Sequence, residues 1–386
     1  MIFYEVNLDG LYNFKNFSID FVFSRESIYS PIFQRHKKYP NLKYKKFAIL
    51  LGANASGKTT FGKALCFIQN FLFGKDLSKT SLFDLFGAFE VSRNNKISFG
   101  STFSTDDHMY KFKIVLDENG IFSETWQRIK LKNISYTKHK EELEGSKTIF
   151  SLSNIQVPGF NSLFLNNPNY ISYRDEITKS LGFVYNFSED RVFIDEKIGL
   201  DTALFEKIVK SFDNSIVSVT DSIDVEGNKI IRFKSGHKEI VLADGTLANG
   251  ANSILSSGTK ESILLSHLLY AIYMGYYHTI YIDEKLTHTH TEIEQQIIQI
   301  FISLIDRVDG QVFITSHNSD LLDLEIPNYN FILFKKNKDG SITEVIEPEK
   351  FFKHQNRSLR RIVDEDVFST SPILDNLIQL HDDLIG

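Results

Sequence analysis

Between a run of apolar residues, Phe47 to Leu51, and a stretch with apolar positions at helical spacing (Phe61, Ala64, Leu65, Ile68, Phe71, Leu72), the chain reads Gly52-Ala53-Asn54-Ala55-Ser56-Gly57-Lys58-Thr59. Every fixed position of G-x-x-x-x-G-K-[ST] is met, and the order buried strand, glycine loop, amphipathic helix is the context that gives the pattern its physical meaning. Glycines at 52 and 57 let successive backbone N–H groups turn inward around an anion, and the helix start adds the positive end of its dipole. Lys58 can then reach β- and γ-phosphates, and the Thr59 hydroxyl can ligate Mg²⁺. Gly52, Asn54, Ala55, Ser56, Gly57, Lys58, Thr59 and Thr60 are therefore the expected nucleotide-binding residues, for ATP or GTP. A strand, loop and helix of this kind place the chain in the α/β class.

The C-terminal part alternates in the same way: helix 259–274, strand 279–282, helix 291–308, strand 311–315, strand 330–335 and a hairpin to 342–346, as in a doubly wound sheet. Strand 279–282 ends in Asp283 and Glu284, one carboxylate for the water shell of Mg²⁺ and a second to orient or deprotonate an attacking water. Taken alone, such a pair reads as a solvated strand end. Strand 311–315 ends in Ser316, His317 and Asn318, where an imidazole can contact a γ-phosphate; alone, it is a surface histidine. Leu255, Ser256, Ser257, Gly258, Thr259 and Lys260 open a helix as a cap with free N–H groups, a second anion site. Since the first anion already has its loop, this second site suits a nucleotide held by another copy of the chain.

Alternating apolar residues at Ile2, Tyr4, Val6, Leu8 and at Phe17, Ile19, Phe21, Phe23 predict two edge-type strands. Strands over 97–131, with a turn at Asp117-Glu118-Asn119-Gly120, predict an antiparallel layer. Residues 132–200 mix a polar stretch at 138–147 with Asn- and Tyr-rich loops. A helix at 201–213 and strands near 215–220, 229–234 and 238–242 follow.

Of the 386 residues, 49 are acidic and 43 basic, a formal net charge of -6. No global positive field holds nucleic acid, so any DNA contact falls to local basic faces: Arg35, Lys37, Lys38, Lys43, Lys45 and Lys46; Arg128, Lys130, Lys132, Lys138 and Lys140; Lys353, Arg357, Arg360 and Arg361. Each is otherwise a solvated face. The single cysteine, Cys66, excludes an internal disulfide and a cysteine zinc site and fits core packing on the helix. No apolar run is long enough to span a bilayer, and MIFYEVNLDG lacks the regions of a signal peptide, so the expected location is cytoplasmic, with no membrane partner. His278, His288 and His290 read as loop polarity rather than a metal site, having no acidic or cysteine company.

GANASGKT, LSSGTK, YIDE and ITSH, in that order, resemble the Walker A, signature, Walker B and switch-histidine motifs of ABC-type ATPase heads. The nearest subgroup is the SMC-like AAA family ATPases of bacteria that lack long coiled coils, which VNLDGLYNFKNFSIDF and VDEDVFSTSPILDNL also resemble, whereas 132–200 is unmatched. The resemblance implies a P-loop NTPase with an antiparallel β layer, a mixed central sheet flanked by helices and an inserted, partly helical subdomain. Residues 1–386 would be one composite head, 132–245 its inserted lobe, and 246–350 the half carrying signature, Walker B and histidine. It implies a head-to-tail homodimer sandwiching two ATPs with Mg²⁺. Thr59 and Asp283 would hold the metal, Glu284 would be the catalytic base and His317 the switch, and Ser256, Ser257 and Gly258 would meet the partner's γ-phosphate. Members of this kind resemble sensor ATPases of anti-phage systems that work with a separate effector such as a nuclease; a DNA-repair or recombination ATPase gripping DNA directly is the alternative. Two departures stand out. KLTHTHT follows the acids, with Thr289 and Thr291 around His290 where the subgroup has other neighbours, and Gln127 is no convincing Q-loop glutamine because it sits on a strand as a solvent-facing residue would.

Overall fold

All of Phe47–Leu51 is buried because both faces of that strand are covered. Ala48 and Leu50 point into one apolar core, while Phe47, Ile49 and Leu51 point into a second on the opposite face. A strand covered on both sides reads as continuously apolar rather than alternating, which is why FAILL has no polar residue. The computed structural model describes residues 1–23, 34–75, 77–86, 96–154, 159–180, 182–187, 201–223, 229–235, 238–243, 246–247, 257–286, 291–337, 339–351, 359–368, 380–381 and 383–384.

In chain order the strands are β1 (Ile2–Asp9), β2 (Phe17–Asp20), β3 (Phe47–Leu51), β4 (Ile97–Ser104), β5 (His108–Asp117), β6 (Gly120–Lys130), β7 (Thr148–Ser153), β8 (Phe183–Asn186), β9 (Ile216–Ile223), β10 (Lys229–Ser235), β11 (Lys238–Ala243), β12 (Thr246–Leu247), β13 (Thr279–Asp283), β14 (Gln311–Ser316), β15 (Phe331–Lys336) and β16 (Thr343–Ile346). The helices of eight or more residues are α1 (Lys58–Phe73), α2 (Lys79–Phe86), α3 (Tyr136–Glu144), α4 (Ile171–Lys179), α5 (Thr202–Phe212), α6 (Ser257–Tyr273) and α7 (Thr291–Ile305) among the described residues. One six-stranded sheet, in the order β2-β1-β4-β5-β6-β7, is antiparallel throughout. The other, β16-β15-β3-β14-β13-β8, is parallel except for β16.

The expected antiparallel layer over 97–131 is present, with its turn at Asp117–Gly120. β1 differs from the expectation of an edge strand: β2 pairs with one side of it and β4 with the other, so β2 alone of the two lies at the edge. The two-residue period of β1 reports a covered face and carries no information about its lateral neighbours. Within residues 132–245, β7 closes one end of the antiparallel sheet and β8 one end of the mixed sheet, while β9 to β11 join β12, just beyond that range, in a third, four-stranded sheet. The polar stretch around 138–147 becomes α3, which turns only Tyr136, His139 and Leu143 inward.

Helix α1 lies between the two large sheets. Phe61, Leu65, Ile68 and Leu72 share the first core with Phe3, Phe21 and Phe103 of the antiparallel layer and with Tyr281 and Phe313 of the mixed sheet. Helices α6 and α7 cover the opposite face through Leu265, Leu268, Ile298 and Phe301. The buried amide of Gln311 staples the sheets: its Oε1 accepts from Phe3 N at 2.7 Å and its Nε2 donates to Phe3 O at 3.0 Å, beside the irregularity in β1 between Phe3 and Glu5. A one-residue shift there leaves backbone groups that the strand ladder does not use, and the side-chain amide, which both donates and accepts, fits them, with a further bond from Nε2 to Lys45 O at 3.2 Å.

Gly62 sets how closely α1 sits on β13. A Cβ at this position would lie 2.3 Å from the Tyr281 ring, which is fully buried and whose hydroxyl donates to Lys58 O at 2.7 Å. Helix propensity favours alanine over glycine by about 1 kcal/mol, whereas forcing a methyl into a packed core costs about 1–3 kcal/mol. Gly62→Ala is therefore expected to lower stability, seen as a lower urea midpoint with unchanged slope; an increase would mean that the helix shifts freely on the sheet.

Candidate nucleotide site

The carboxyl ends of the parallel strands lie along one edge, the place where ligands bind in open α/β sheets. Register brings Asp283 beside Thr315, and Thr315 beside Leu50, so the ends of β13, β14 and β3 form one row. The phosphate-type loop leaves β3 at this row and enters α1. Gly52 lies so near β15 that a Cβ would be 2.3 Å from Phe334 O, and Gly57, at the start of α1, has φ of 110°. Both positions require glycine. Ala55 sits in the left-handed region at φ 60°, at the exposed tip of the loop with Asn54.

A cleft of about 420 Å³ opens over the loop, lined by Asn54 through Thr60, by Glu284, and on its other side by Tyr12, Asn13, Phe14 and Thr343. The loop and Glu284 are thus brought together as expected. The far wall was not foreseen: Tyr12 to Phe14 connect β1 and β2, and Thr343 begins β16, with Thr343 N donating to Asn13 O at 2.8 Å. Nothing in their local sequence marks them, since their role comes from where two hairpins meet.

Lys58 is buried, and its Nζ donates to Gly52 O at 2.8 Å and Ala53 O at 3.2 Å while standing 3.4 Å from Glu284 Oε1. Burial lowers its pKa, and the negative charge of Glu284 opposes that shift. Thr59 Oγ1 donates to Asp283 Oδ2 at 2.8 Å, and Thr315 Oγ1 donates to Asp283 Oδ1 at 2.7 Å. Asp283 is wholly buried, and desolvation raises its carboxyl pKa against the pull of these two hydroxyls. Glu284 follows in the left-handed region at φ 53°, with its N–H donated to Thr315 Oγ1 at 3.1 Å. A non-glycine residue held there is a strained backbone position kept by its surroundings. His317 is exposed and places Nδ1 4.0 Å from Glu284 Oε1.

The residues fit an anion and a hard cation. The buried Ser56 hydroxyl faces the loop interior, 2.8 Å from where a Cβ of Gly52 would be, and has no hydrogen-bond partner among the described residues. Thr59 and Asp283 offer a hydroxyl and a carboxylate side by side, the oxygen donors that Mg²⁺ takes.

Two residues passed over in the sequence also belong to this edge. Thr315, inside ITSH but given no role there, bridges Asp283 to the Glu284 backbone. Asn186 ends β8 opposite Ile282, one residue from Asp283, and its buried Oδ1 has no hydrogen-bond partner among the described residues. A polar residue closing the short strand FVYN was the available signal. Gln127 lies elsewhere: its Nε2 donates to Leu143 O and Ser146 O at the end of α3, so it is partly buried rather than solvent-facing. Ser256 lies outside the described residues, as do His288 and His290; Ser257 and Gly258 form the first residues of α6. His278 precedes β13, at the strand end away from Asp283, and no metal-binding group of His, Cys, Asp and Glu occurs among the described residues.

Part of the basic stretch 35–46 is spent on ion pairs within the chain. Lys45 is buried against Glu347 at 3.2 Å and Glu349 at 2.7 Å, Lys46 is buried 3.7 Å from Asp306, and Lys38 meets Asp107 at 2.5 Å. Arg128 pairs with Glu176, Lys132 with Glu142, Lys140 with Glu5, Arg360 with Asp320 and Arg361 with Glu365. Lys353 and Arg357 lie outside the described residues. No helix among the described residues is long and apolar enough to cross a membrane.

No family model and no curated protein matches the chain. Among solved structures, the Smc head bound to the C-winged helix domain of ScpA aligns with a TM-score of 0.54 over 91% of this chain and 100% of that one, at 14% identity. An Smc head with an extended coiled coil from Pyrococcus furiosus, bound to the C-terminal domain of ScpA, gives 0.47 at 12% identity, covering 94% and 99% of the two chains. The SMC head domain from Thermotoga maritima gives 0.40 at 13% identity, covering 90% and 99%. At such identities the likeness is one of architecture: this chain has the fold of an SMC head, an SMC-like form of the ABC-type P-loop fold.

Proposed function

We propose that the chain binds and hydrolyses ATP with Mg²⁺ and works as a nucleotide-sandwiched homodimer. The observation that carries the reading is the chain of contacts from Thr59 through Asp283 to Thr315, with Glu284 set beside the Lys58 ammonium at the same cleft. Lys58 would exchange the carbonyls of Gly52 and Ala53 for phosphate oxygens, and the Ser56 hydroxyl would gain the partner it lacks. Thr59 and Asp283 would hold the Mg²⁺, which supplies charge neutralisation across the β- and γ-phosphates. Glu284, with one quarter of its side chain exposed, is the carboxylate that can take a proton from an attacking water. His317, from the neighbouring strand end, can donate to the γ-phosphate side. The amide of Asn186 can hold a water at the end of the same row.

The arrangement of helices supports two chains per site. α1 starts at the phosphate loop and packs in the core shared with the antiparallel layer, whereas α6 packs on the opposite face of the mixed sheet. Since α6 feeds β13, its N-terminus points toward the carboxyl edge of the sheet. The helix starts at Gly57 and Ser257 thus flank the sheet on opposite sides, and the Ser256-Ser257-Gly258 loop would serve an anion held by a second copy. The γ-phosphate then links two chains, and its loss frees them, a switch of the order and release kind. In its cellular role we place the chain as the ATPase and sensor of a bacterial anti-phage system with a separate effector, on the motif resemblance given above. Direct DNA gripping is disfavoured by the burial of Lys45 and Lys46 in ion pairs within the chain.

Glu284→Gln is expected to keep ATP binding, to lose at least about hundredfold in phosphate release, and to double in mass by light scattering when ATP is added. Wild-type protein without phosphate release would overturn the hydrolysis reading, and an unchanged mass would overturn the sandwich. Deleting the gene in its host is expected to raise phage plating for at least part of a broad panel; equal plating throughout would remove the defence role. Asp283 gives a test independent of turnover. Because burial raises its folded pKa, this carboxyl favours folding below the ordinary carboxylate range, and that contribution is lost as pH rises through the raised value. Without nucleotide, Asp283→Asn is expected to be the more stable protein near neutral pH, with the gap narrowing under acidic conditions in urea titrations.

A further inference from the structure

His317 occupies an exposed loop, yet its distance from Glu284 matters if it is to meet a γ-phosphate. Its backbone is pinned on the upstream side by Thr315, whose hydroxyl joins Asp283 Oδ1 and Glu284 N. On the downstream side the pin is Asn318. The Oδ1 of Asn318 accepts from Asp320 N at 3.0 Å, capping the short 3-10 turn Ser319–Asp323, and its Nδ2 donates to Glu294 Oε2 at 2.9 Å. Asn318 N also donates to Ser316 Oγ at 3.0 Å, so the residues on either side of His317 are tied to each other.

Glu294 is the unexpected member. It lies in the first turns of α7, is 2% exposed, and is the buried acid in a row otherwise made of Ile297, Ile298 and Phe301. Burying a carboxyl on the core side of a helix is unfavourable unless its contact matters, and an apolar residue would pack there at lower cost. Next to it, Gln295 Nε2 donates to Asp320 O at 3.2 Å, a second bond from α7 to the same loop. Helix α7 follows Asp283 and Glu284 in the chain after residues 287–290, so it joins the carboxylate row to the histidine loop from behind.

We infer that Glu294 is a positioning residue for hydrolysis: through Asn318 it fixes the backbone of His317 so that the imidazole is held toward Glu284. This rests on the hydrolysis reading and assigns a function to a buried acid which that reading leaves unused. With both flanking residues anchored, His317 has only its side-chain rotamers to vary. Without the Glu294 acceptor the Asn318 amide loses its partner, and next to His317 only the Thr315 anchor remains, the Gln295 bond reaching the loop further on at Asp320. A displacement of about 1 Å at a reacting group can cost on the order of a hundredfold in rate, so the expected loss in kcat is about ten- to a hundredfold.

The experiment is a double-mutant cycle on ATP turnover by full-length protein, with Glu294→Ala, Glu294→Gln, His317→Ala and the Glu294→Ala/His317→Ala pair. Glu294→Ala is expected to lower kcat with KM for ATP little changed, and Glu294→Gln to retain most activity because its amide oxygen still accepts from Asn318. In the His317→Ala background, Glu294→Ala is expected to cost almost nothing more, as coupled residues behave. A purely structural role would instead lower the melting temperature and reduce kcat by the same factor in both backgrounds, and that additive result overturns the inference, as does a Glu294→Ala protein with wild-type kcat. Absence of turnover in the wild type would instead remove the hydrolysis reading itself, and ATP binding measured on the same proteins separates that outcome from misfolding.

Discussion

The carboxylate of Asp283 is the constraint around which the site is arranged. It is wholly buried, and burial alone would favour its neutral form. Two hydroxyls answer it, Thr59 from the glycine loop and Thr315 from the adjacent strand, so one side chain joins three separate stretches of chain. The register of β13 against β14 makes this possible, because Asp283 and Thr315 are direct neighbours. A slip of one residue would turn Thr315 to the other face of the sheet and leave a buried charge with one partner fewer. Accuracy of strand register and the chemistry of the site are therefore one requirement.

Much of this was legible in the sequence where local pattern and function coincide. Gly52, Gly57, Lys58 and Thr59 announce themselves because an anion-binding turn needs those residues in that order, and FAILL announces a strand covered on both faces. Asp283, Glu284 and His317 were legible only in company, since each follows an apolar strand and any of them alone reads as surface polarity. What stayed hidden depends on contacts distant in sequence. Tyr12 and Thr343 are 331 positions apart and meet at one cleft wall. Asn186 became visible only when β8 paired with β13 and put its amide on the carboxyl edge. The lateral partners of β1 were misread for the same reason, because a two-residue period tells which face is covered and says nothing of what lies beside the strand.

Charge shows the limit of reading composition. Lys45 and Lys46 sit in a stretch that looks like a basic arm, yet their ammonium groups turn inward to Glu347, Glu349 and Asp306. Lys45 lies just before β3, and its partners come from the segment after β16, so the pairing ties the interior strand β3 to the β16 edge of the mixed sheet. Buried pairs of this kind add little net stability but make removal of either partner costly. The lysines are best read as part of the framework that holds β3 in place. A sequence-local count of basic residues cannot separate that use from a phosphate-binding face.

Several groups at the site are held in unfavourable states. Glu284 occupies a strained backbone region, Lys58 holds its charge among backbone carbonyls in a buried position, and Asp283 keeps a desolvated carboxyl. Such features persist only when the surroundings over-determine them. Here the surroundings are three parallel strands packed on both faces, α1 held close by the absence of a side chain at Gly62, and the Gln311 amide joining the sheets. A bound phosphate would give Lys58 and Ser56 better partners, and a cation would give Asp283 a compensating charge. Ligand binding would then relieve the strain that the framework maintains, and stability would rise with ligand concentration by mass action. On the proposed reading the same asymmetry would account for the hold of Glu294 on the histidine loop: His317 would have to stay exposed to reach a γ-phosphate, and Asn318 beside it is tied to a buried residue on the neighbouring helix.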